Sequence, residues 1–267
     1  MDESPALESL STEELFVKAI LEDKGAKVDP MPRTSEKTPD FDVDFSGVQY
    51  IVEVKTKEED ETSIGERRQT LQRGEVYGES AELKRKNTIS GIIKWGVEQL
   101  ANYGSSETFR VLWIHCGGFH SERFKHQFFT AFCGSTRLRD LEDSKFQVNG
   151  LYFRDSDFFR DRSVLDGAVI TMELHEECKL FCLANDHSAK YEAFRASPLA
   201  KAFPAGFYDP LAEEAAGDAI VIRGNIDRRQ PHVVQAHLSQ STGRAKLYNT
   251  DFNIATATVA VPKELLR

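Results

Sequence analysis

Two carboxylates and a lysine, Asp40, Glu53 and Lys55, stand where a pair of strands would bring them onto one face. Phe41, Val43 and Phe45 alternate with Asp40, Asp42 and Asp44; beyond Ser46-Gly47, Val48, Tyr50, Val52 and Val54 alternate with Gln49, Ile51, Glu53 and Lys55. Period-two patterns on either side of a two-residue turn predict a β-hairpin. With Ser46-Gly47 at its tip, Phe45 faces Val48, Val43 faces Tyr50 and Phe41 faces Val52, which carries Asp40 to Glu53. Directly opposed residues share a face with Cβ atoms about 4.5–5.5 Å apart. Lys55, two residues past Glu53, shares that face as well. One side of the hairpin is then apolar, and the other gathers Asp40, Asp42, Asp44, Glu53 and Lys55.

Opposed carboxylates repel unless a proton or a cation lies between them. A hard divalent ion suits the place: Mg²⁺ takes oxygen ligands at about 2.0–2.1 Å and keeps waters for chemistry. A lysine beside such an ion can orient an attacking water or stabilise charge developing on a phosphate. The tripeptide alone is uninformative, because acid-x-Lys also occurs at Glu22/Lys24, Glu82/Lys84, Asp143/Lys145 and Glu177/Lys179. Only Glu53/Lys55 lies on an alternating strand behind Pro39-Asp40.

The elements around these residues can be placed by pattern. Ser11 caps a helix with Glu14 as its capping-box partner, the apolar stripe includes Leu15, Phe16, Ala19 and Ile20, and Gly25 stops it. Residues 29–39 hold three prolines and read as a loop, and residues 57–80 as a polar, mobile one. A helix is expected over 80–103, a buried strand over 111–116, and a helix over 121–132. Strands follow at 146–153, 167–173, 179–184, 218–223 and 247–260, with a helix over 188–203. The expected domains are a core of residues 1–145 and a C-terminal extension, 146–267, of strands and a helix.

The chain has 267 residues and a net charge of −9, unevenly spread. Residues 1–63 carry 7 basic and 17 acidic side chains, and residues 64–95 carry 7 basic and 4 acidic. Arg67, Arg68, Arg73, Lys84, Arg85, Lys86 and Lys94 are therefore candidate phosphate contacts, with solvated helix faces as the alternative. Gln99 is a candidate contact to a phosphate or to the lysine. Four scattered cysteines without a CxxC pair suit reduced thiols and a cytoplasmic protein, and no apolar run is long enough to span a bilayer. His115 and Cys116 are adjacent on a strand and so point to opposite faces, which excludes a Cys–His pair. The aromatic cluster of Phe153, Phe158 and Phe159 suits core packing better than base stacking.

Thr38-Pro39-Asp40 followed by Glu53-Val54-Lys55 on the next strand resembles the PD-(D/E)xK nuclease superfamily, with its restriction-endonuclease-like fold. The resemblance spans residues 11–116 as helix, strand, strand, helix, strand, and includes the Gln99-Leu100 helix end. It implies an α/β fold with a mixed central β-sheet flanked by helices. It further implies that Asp40, Glu53 and the Val54 carbonyl hold Mg²⁺ or Mn²⁺, and that Lys55 positions the attacking water. In one branch a helix glutamate three turns before a terminal glycine completes the site; here that is Glu14, ahead of Gly25, with Glu13 as the fallback. The expected function is a metal-dependent nuclease acting on DNA rather than RNA, as a homodimer or a subunit of a larger complex. The alternative is a non-catalytic nucleic-acid- or protein-binding module that retains the fold.

Overall fold

The structure, a computed structural model, describes residues 10–33, 37–82, 87–174, 177–250 and 255–262. Lys84, Arg85 and Lys86, singled out above, lie outside the described residues.

Helix α1 (Thr12–Asp23) opens with the expected reciprocal cap. The Glu14 N–H donates to Ser11 Oγ at 3.2 Å, and the Ser11 N–H donates to the Glu14 carboxylate at 2.7 Å. Strands β1 (Lys27–Pro30), β2 (Phe41–Phe45) and β3 (Val48–Lys57) pair antiparallel in that order. The β2–β3 register is the one the turn dictates: Phe41 opposite Val52, Val43 opposite Tyr50, Phe45 opposite Val48. Ser46 and Gly47 take φ of 54° and 80°, the left-handed pair that matches strand twist in a two-residue turn. Strand β1 is an addition to the sequence reading, an edge strand inside the proline-rich stretch.

The segment after β3 corrects two expectations. In place of a mobile loop the chain forms helix α2 (Glu61–Gln72) and strand β4 (Tyr77–Glu82), and helix α3 (Asn87–Leu100) begins at Asn87 rather than at residue 80. Asp60 caps α2, its Oδ1 accepting from the Ser63 N–H at 2.9 Å. Helix α2 buries no residue, so it carries no apolar stripe from which a helical period could be read. Strand β5 (Phe109–Cys116) runs parallel to β3, Glu53 beside Leu112 and Lys55 beside Ile114. Helix α3 packs close on this pair: a Cβ on Gly96 would come within 2.4 Å of Leu112 Cδ1, so any larger residue there would require the Leu112 side chain to shift.

Helix α4 (Ser121–Cys133) precedes β6 (Thr136–Asp140), β7 (Gln147–Leu151) and α5 (Asp157–Arg160). The chain continues through β8 (Gly167–Leu174), β9 (Glu177–Ala184), α6 (Tyr191–Arg195), α7 (Pro198–Ala202) and β10 (Phe207–Tyr208). It ends with α8 (Pro210–Ala216), β11 (Ala219–Val221), α9 (Pro231–Thr242), β12 (Leu247–Asn249) and β13 (Ala255–Ala260). The expected helix over 188–203 is thus two short helices, broken ahead of Pro198.

The fold is α/β, with a mixed seven-stranded central sheet, β1-β2-β3-β5-β8-β9-β10, flanked by helices. Strands β8, β9 and β10 extend this sheet beyond residue 145, so the expected boundary there does not separate one sheet from another. Strands β11, β7, β6 and β12 form a smaller sheet, and β4 pairs with β13. One apolar layer joins Ile51, Leu112 and Ile114 to Ile89 and Ile93 of α3 and Phe128 of α4. The other joins Val43, Tyr50, Val52 and Trp113 to Val17 and Leu21 of α1 and Phe194 of α6. Glu53 and Lys55 alternate with Val52 and Val54 and so lie on the α3 face. His115 and Cys116 do face opposite ways: His115 meets Thr171 Oγ1 at 3.2 Å and the Phe16 ring at 5.2 Å, while Cys116 is buried in the α3–α4 layer. Phe153 and Phe158 are core residues, whereas Phe159 is exposed beneath the Arg162 guanidinium. Among the described residues no helix is long and apolar enough to cross a membrane.

Candidate active site

Asp40 sits one residue ahead of β2, where the strand ladder ends, and its side chain continues the pairing: Oδ2 accepts from the Val54 N–H at 2.7 Å. That bond anchors the carboxylate opposite Glu53 and Val54, as the hairpin arithmetic requires. Glu53 is fully buried beside Asp40, and its Oε1 is paired with the Lys55 ammonium. Glu53 Oε2 is buried and has no hydrogen-bond partner. Lys55 Nζ donates a second bond to Gln99 Oε1 at 2.7 Å, and Gln99 Nε2 donates to the Thr38 carbonyl at 3.1 Å. Helix α3 is thereby tied to the Thr38-Pro39-Asp40 approach and to β3 at once.

Glu14 reaches the same place from α1. It lies against Asp40, and its carboxylate also accepts from Arg33, whose Nη2 lies 2.8 Å from Oε1 and 2.6 Å from Oε2. The sequence reading missed Arg33. Its one cue is its place, one of two cations, with Lys37, on the proline-rich approach to Asp40. Glu14, Arg33, Asp40, Glu53, Lys55 and Gln99 line a cavity of about 510 Å³.

The electrostatics follow from burial. Removal from water pushes Glu53 up to about 8, with the Asp40 charge adding to the rise and Lys55 opposing it. Burial raises Asp40 to about 6, the Val54 N–H opposing and Glu14 reinforcing the rise. With Glu14, Asp40 and Glu53 all ionised the site would hold three negative charges against one lysine and one arginine, a shortage that a proton on Glu53 or a bound cation makes up. Buried Glu53 Oε2, bare of any donor, is where that shortage is sharpest. Among the described residues no three His, Cys, Asp or Glu side chains are gathered as ready ligands about one point. The hard oxygens that could serve a divalent cation are those of Asp40, Glu53 and the Val54 carbonyl, with Glu14, the fourth expected ligand, held by Ser11 and Arg33.

The structure brings together Glu14, Asp40, Glu53, Val54, Lys55 and Gln99. Asp42 and Asp44 stand apart: Asp42 is exposed, and Asp44 accepts from the Gly47 N–H at 2.8 Å and from Gln49 at 2.9 Å across the turn. Of the described arginines in the 64–95 segment, Arg67, Arg68 and Arg73, none lines the cavity. Arg67 is paired with nearly buried Glu59 and covers the Phe119 ring at 4.5 Å, and Arg73 is paired with Glu75 at 2.8 Å. Arg68 is exposed on α2. Lys94 is exposed beside Glu98 at 3.9 Å and lies about 140° around α3 from Gln99 at 3.6 residues per turn. Comparison with protein-family models, with curated proteins and with solved structures gave no match to this chain.

Proposed function

We propose that the protein is a metal-dependent nuclease that hydrolyses phosphodiester bonds, with DNA favoured over RNA as substrate. The observation that carries this reading is buried Glu53, in contact with Asp40, its Oε1 held by Lys55 and its Oε2 unpartnered at the wall of an open cavity. A fully buried, unsatisfied carboxylate oxygen is costly to fold, and perturbed acids in a cleft mark functional sites.

Asp40, Glu53 and the Val54 carbonyl would hold Mg²⁺ or Mn²⁺. Such an ion, when bound, lowers the pKa of water and screens charge on a phosphate. Lys55 points its ammonium at the acids and orients the attacking water, while Gln99 keeps the ammonium from swinging into solvent. Glu14 places a third carboxylate beside Asp40, and Arg33 offers a guanidinium at the cavity wall for the substrate phosphate. The free thiols fit a reducing compartment, and the cytoplasm is the proposed location.

The test is incubation of supercoiled and linear DNA, and of RNA, with the protein in Mg²⁺, Mn²⁺, Ca²⁺ or EDTA. Cleavage that needs Mg²⁺ or Mn²⁺ and vanishes in Lys55→Ala is the expected result. Equal cleavage by the wild-type and Lys55→Ala proteins would trace the activity to a contaminant and sink the reading.

A further inference from the structure

Helix α3 presents a second feature beside the cavity. Its buried residues, Ile89, Ile93, Gly96, Val97 and Leu100, form one face, and Gln99 flanks that face on the cavity side. Trp95 precedes Gln99 by four residues, so it lies on the same edge of the helix, about 6 Å along the axis. It is 60% exposed, whereas the chain's other tryptophan, Trp113, is fully buried. Lys94 precedes Trp95 and Glu98 follows it by three residues on α3, and Glu98 is bracketed by Lys37 at 3.4 Å and Lys94 at 3.9 Å, two ammoniums to one carboxylate. Lys37 belongs to the same approach as Thr38, Pro39 and Asp40, so this rim adjoins the cavity mouth.

We infer that Trp95 is a stacking platform for an unpaired nucleobase, and that the substrate of the proposed nuclease site carries at least one unpaired nucleotide next to the bond held at Lys55. The inference rests on the nuclease reading. An exposed indole on a rim that also carries two ammoniums, those of Lys37 and Lys94, is the kind of surface on which single-stranded bases stack. Trp95 stands one helical turn before Gln99, the residue that holds Lys55, so the indole and the proposed catalytic ammonium are carried by the same edge of α3. A paired base keeps its faces inside the duplex stack and cannot reach a rim side chain unless it is extruded. A protein partner suits the surface less well, because interface cores are depleted of charge and Trp95 has Lys94 and Glu98 at its sides.

Because Trp113 is shielded, any change in tryptophan emission on adding oligonucleotide reports Trp95. The experiment titrates a short oligothymidylate into wild-type, Trp95→Ala and Trp95→Phe proteins, in EDTA and in Ca²⁺, with cleavage in Mg²⁺ measured in parallel on single-stranded and fully paired substrates. Oligothymidylate is expected to shift wild-type emission. Trp95→Ala should weaken single-strand binding about 5- to 100-fold and raise KM rather than lower kcat, and Trp95→Phe should restore most of the affinity. An abasic nucleotide beside the scissile bond should cost the wild-type protein affinity and cost Trp95→Ala little. Metal-dependent cleavage with KM and emission indifferent to Trp95 overturns this inference and leaves the nuclease reading standing. Emission shifts and lost affinity without cleavage in any metal overturn the nuclease reading and leave the stacking site. A shift in sedimentation of Trp95→Ala toward a smaller species assigns Trp95 to contact between copies and overturns the inference.

Discussion

Gln99 holds Lys55: the glutamine Oε1 accepts from the lysine ammonium at 2.7 Å while its own Nε2 is anchored on the Thr38 carbonyl at 3.1 Å. A lysine stem is flexible, and an exposed ammonium is strongly hydrated. Bridging from α3 to the segment before Asp40 keeps this one over the acids. Gln99→Leu, which preserves bulk and removes both bonds, should lower kcat about 10- to 100-fold by misplacing a catalytic group. KM should move little, because the glutamine does not carry the substrate's charge. An effect confined to KM would instead make Gln99 a phosphate contact.

Glu53 and Asp40 oppose folding in the metal-free protein, since two buried acids in contact resist ionisation together. Glu53→Gln keeps the shape and removes one charge. Its metal-free stability at pH 8.5 should equal or exceed the wild-type value, while metal-dependent cleavage falls by orders of magnitude. Urea unfolding in EDTA and a cleavage assay on the same preparation check both. A large loss of stability would show that the Glu53 carboxylate acts as a structural partner of Lys55.

The pH dependence has a definite sign. Both acids have folded pKa values raised above their unfolded ones, to about 8 for Glu53 and about 6 for Asp40. The folded state therefore binds protons more tightly, and the stability this confers is present at low pH and lost as pH rises through about 6 and then about 8. The difference in urea midpoint between wild-type and Glu53→Gln in EDTA should accordingly move against the wild-type protein from pH 5 to pH 8.5. Cation binding displaces those protons, so metal affinity should climb over the same interval. A difference constant with pH would mean that Glu53 ionises at its ordinary value.

What could be read from the sequence followed from local geometry. A two-residue turn and period-two alternation fix the register, and the register sets Asp40 against Glu53 before any long-range contact is known. Glu14 was legible locally as a cap, and only the resemblance placed it at the site; its contacts with Asp40 and Arg33 depend on how α1 docks, which no local pattern encodes. Helix α2 escaped because it buries nothing, and β1 because four residues ending in Pro30 resemble a loop. For the arginines the sequence leaves the partners unread. Charge counting sees cations but not their partners, and Arg67 and Arg73 are already matched by Glu59 and Glu75.

Arg67 should consequently behave as a structural residue. Its guanidinium pairs with a Glu59 carboxylate only 3% exposed, and Arg67→Ala strands that charge. The expected cost is on the order of 3 kcal/mol, the usual penalty for breaking a buried pair, read as a lowered urea midpoint. Arg68→Ala, on the exposed side of α2, should leave stability within about 0.5 kcal/mol. If Arg68 touches a phosphate, the slope of log affinity against log salt should flatten by about 0.9 in that variant. A triple change of Arg67, Arg68 and Arg73 would confound the two effects, so the single variants are the informative ones.

Arg33 offers the sharpest separation of roles, because the two functions assigned to its neighbourhood respond to it with opposite sign. Its guanidinium offsets Glu14, one of the three acids of the cavity. Arg33→Ala leaves more negative charge beside Asp40 and Glu53, so a divalent cation should bind more tightly, by severalfold. The same change removes a cation from the cavity wall and should raise KM for nucleic acid about tenfold, as loss of one charge-assisted contact does. Glu14→Gln retains the capping interaction, since glutamine serves at that position, and should do the reverse to the metal by weakening its binding. Calorimetry of Mn²⁺ binding and a KM measurement on both variants read the two effects separately. Weaker metal binding in both variants would show that Arg33 orders the cavity instead of balancing its charge, and would withdraw it from the substrate's path.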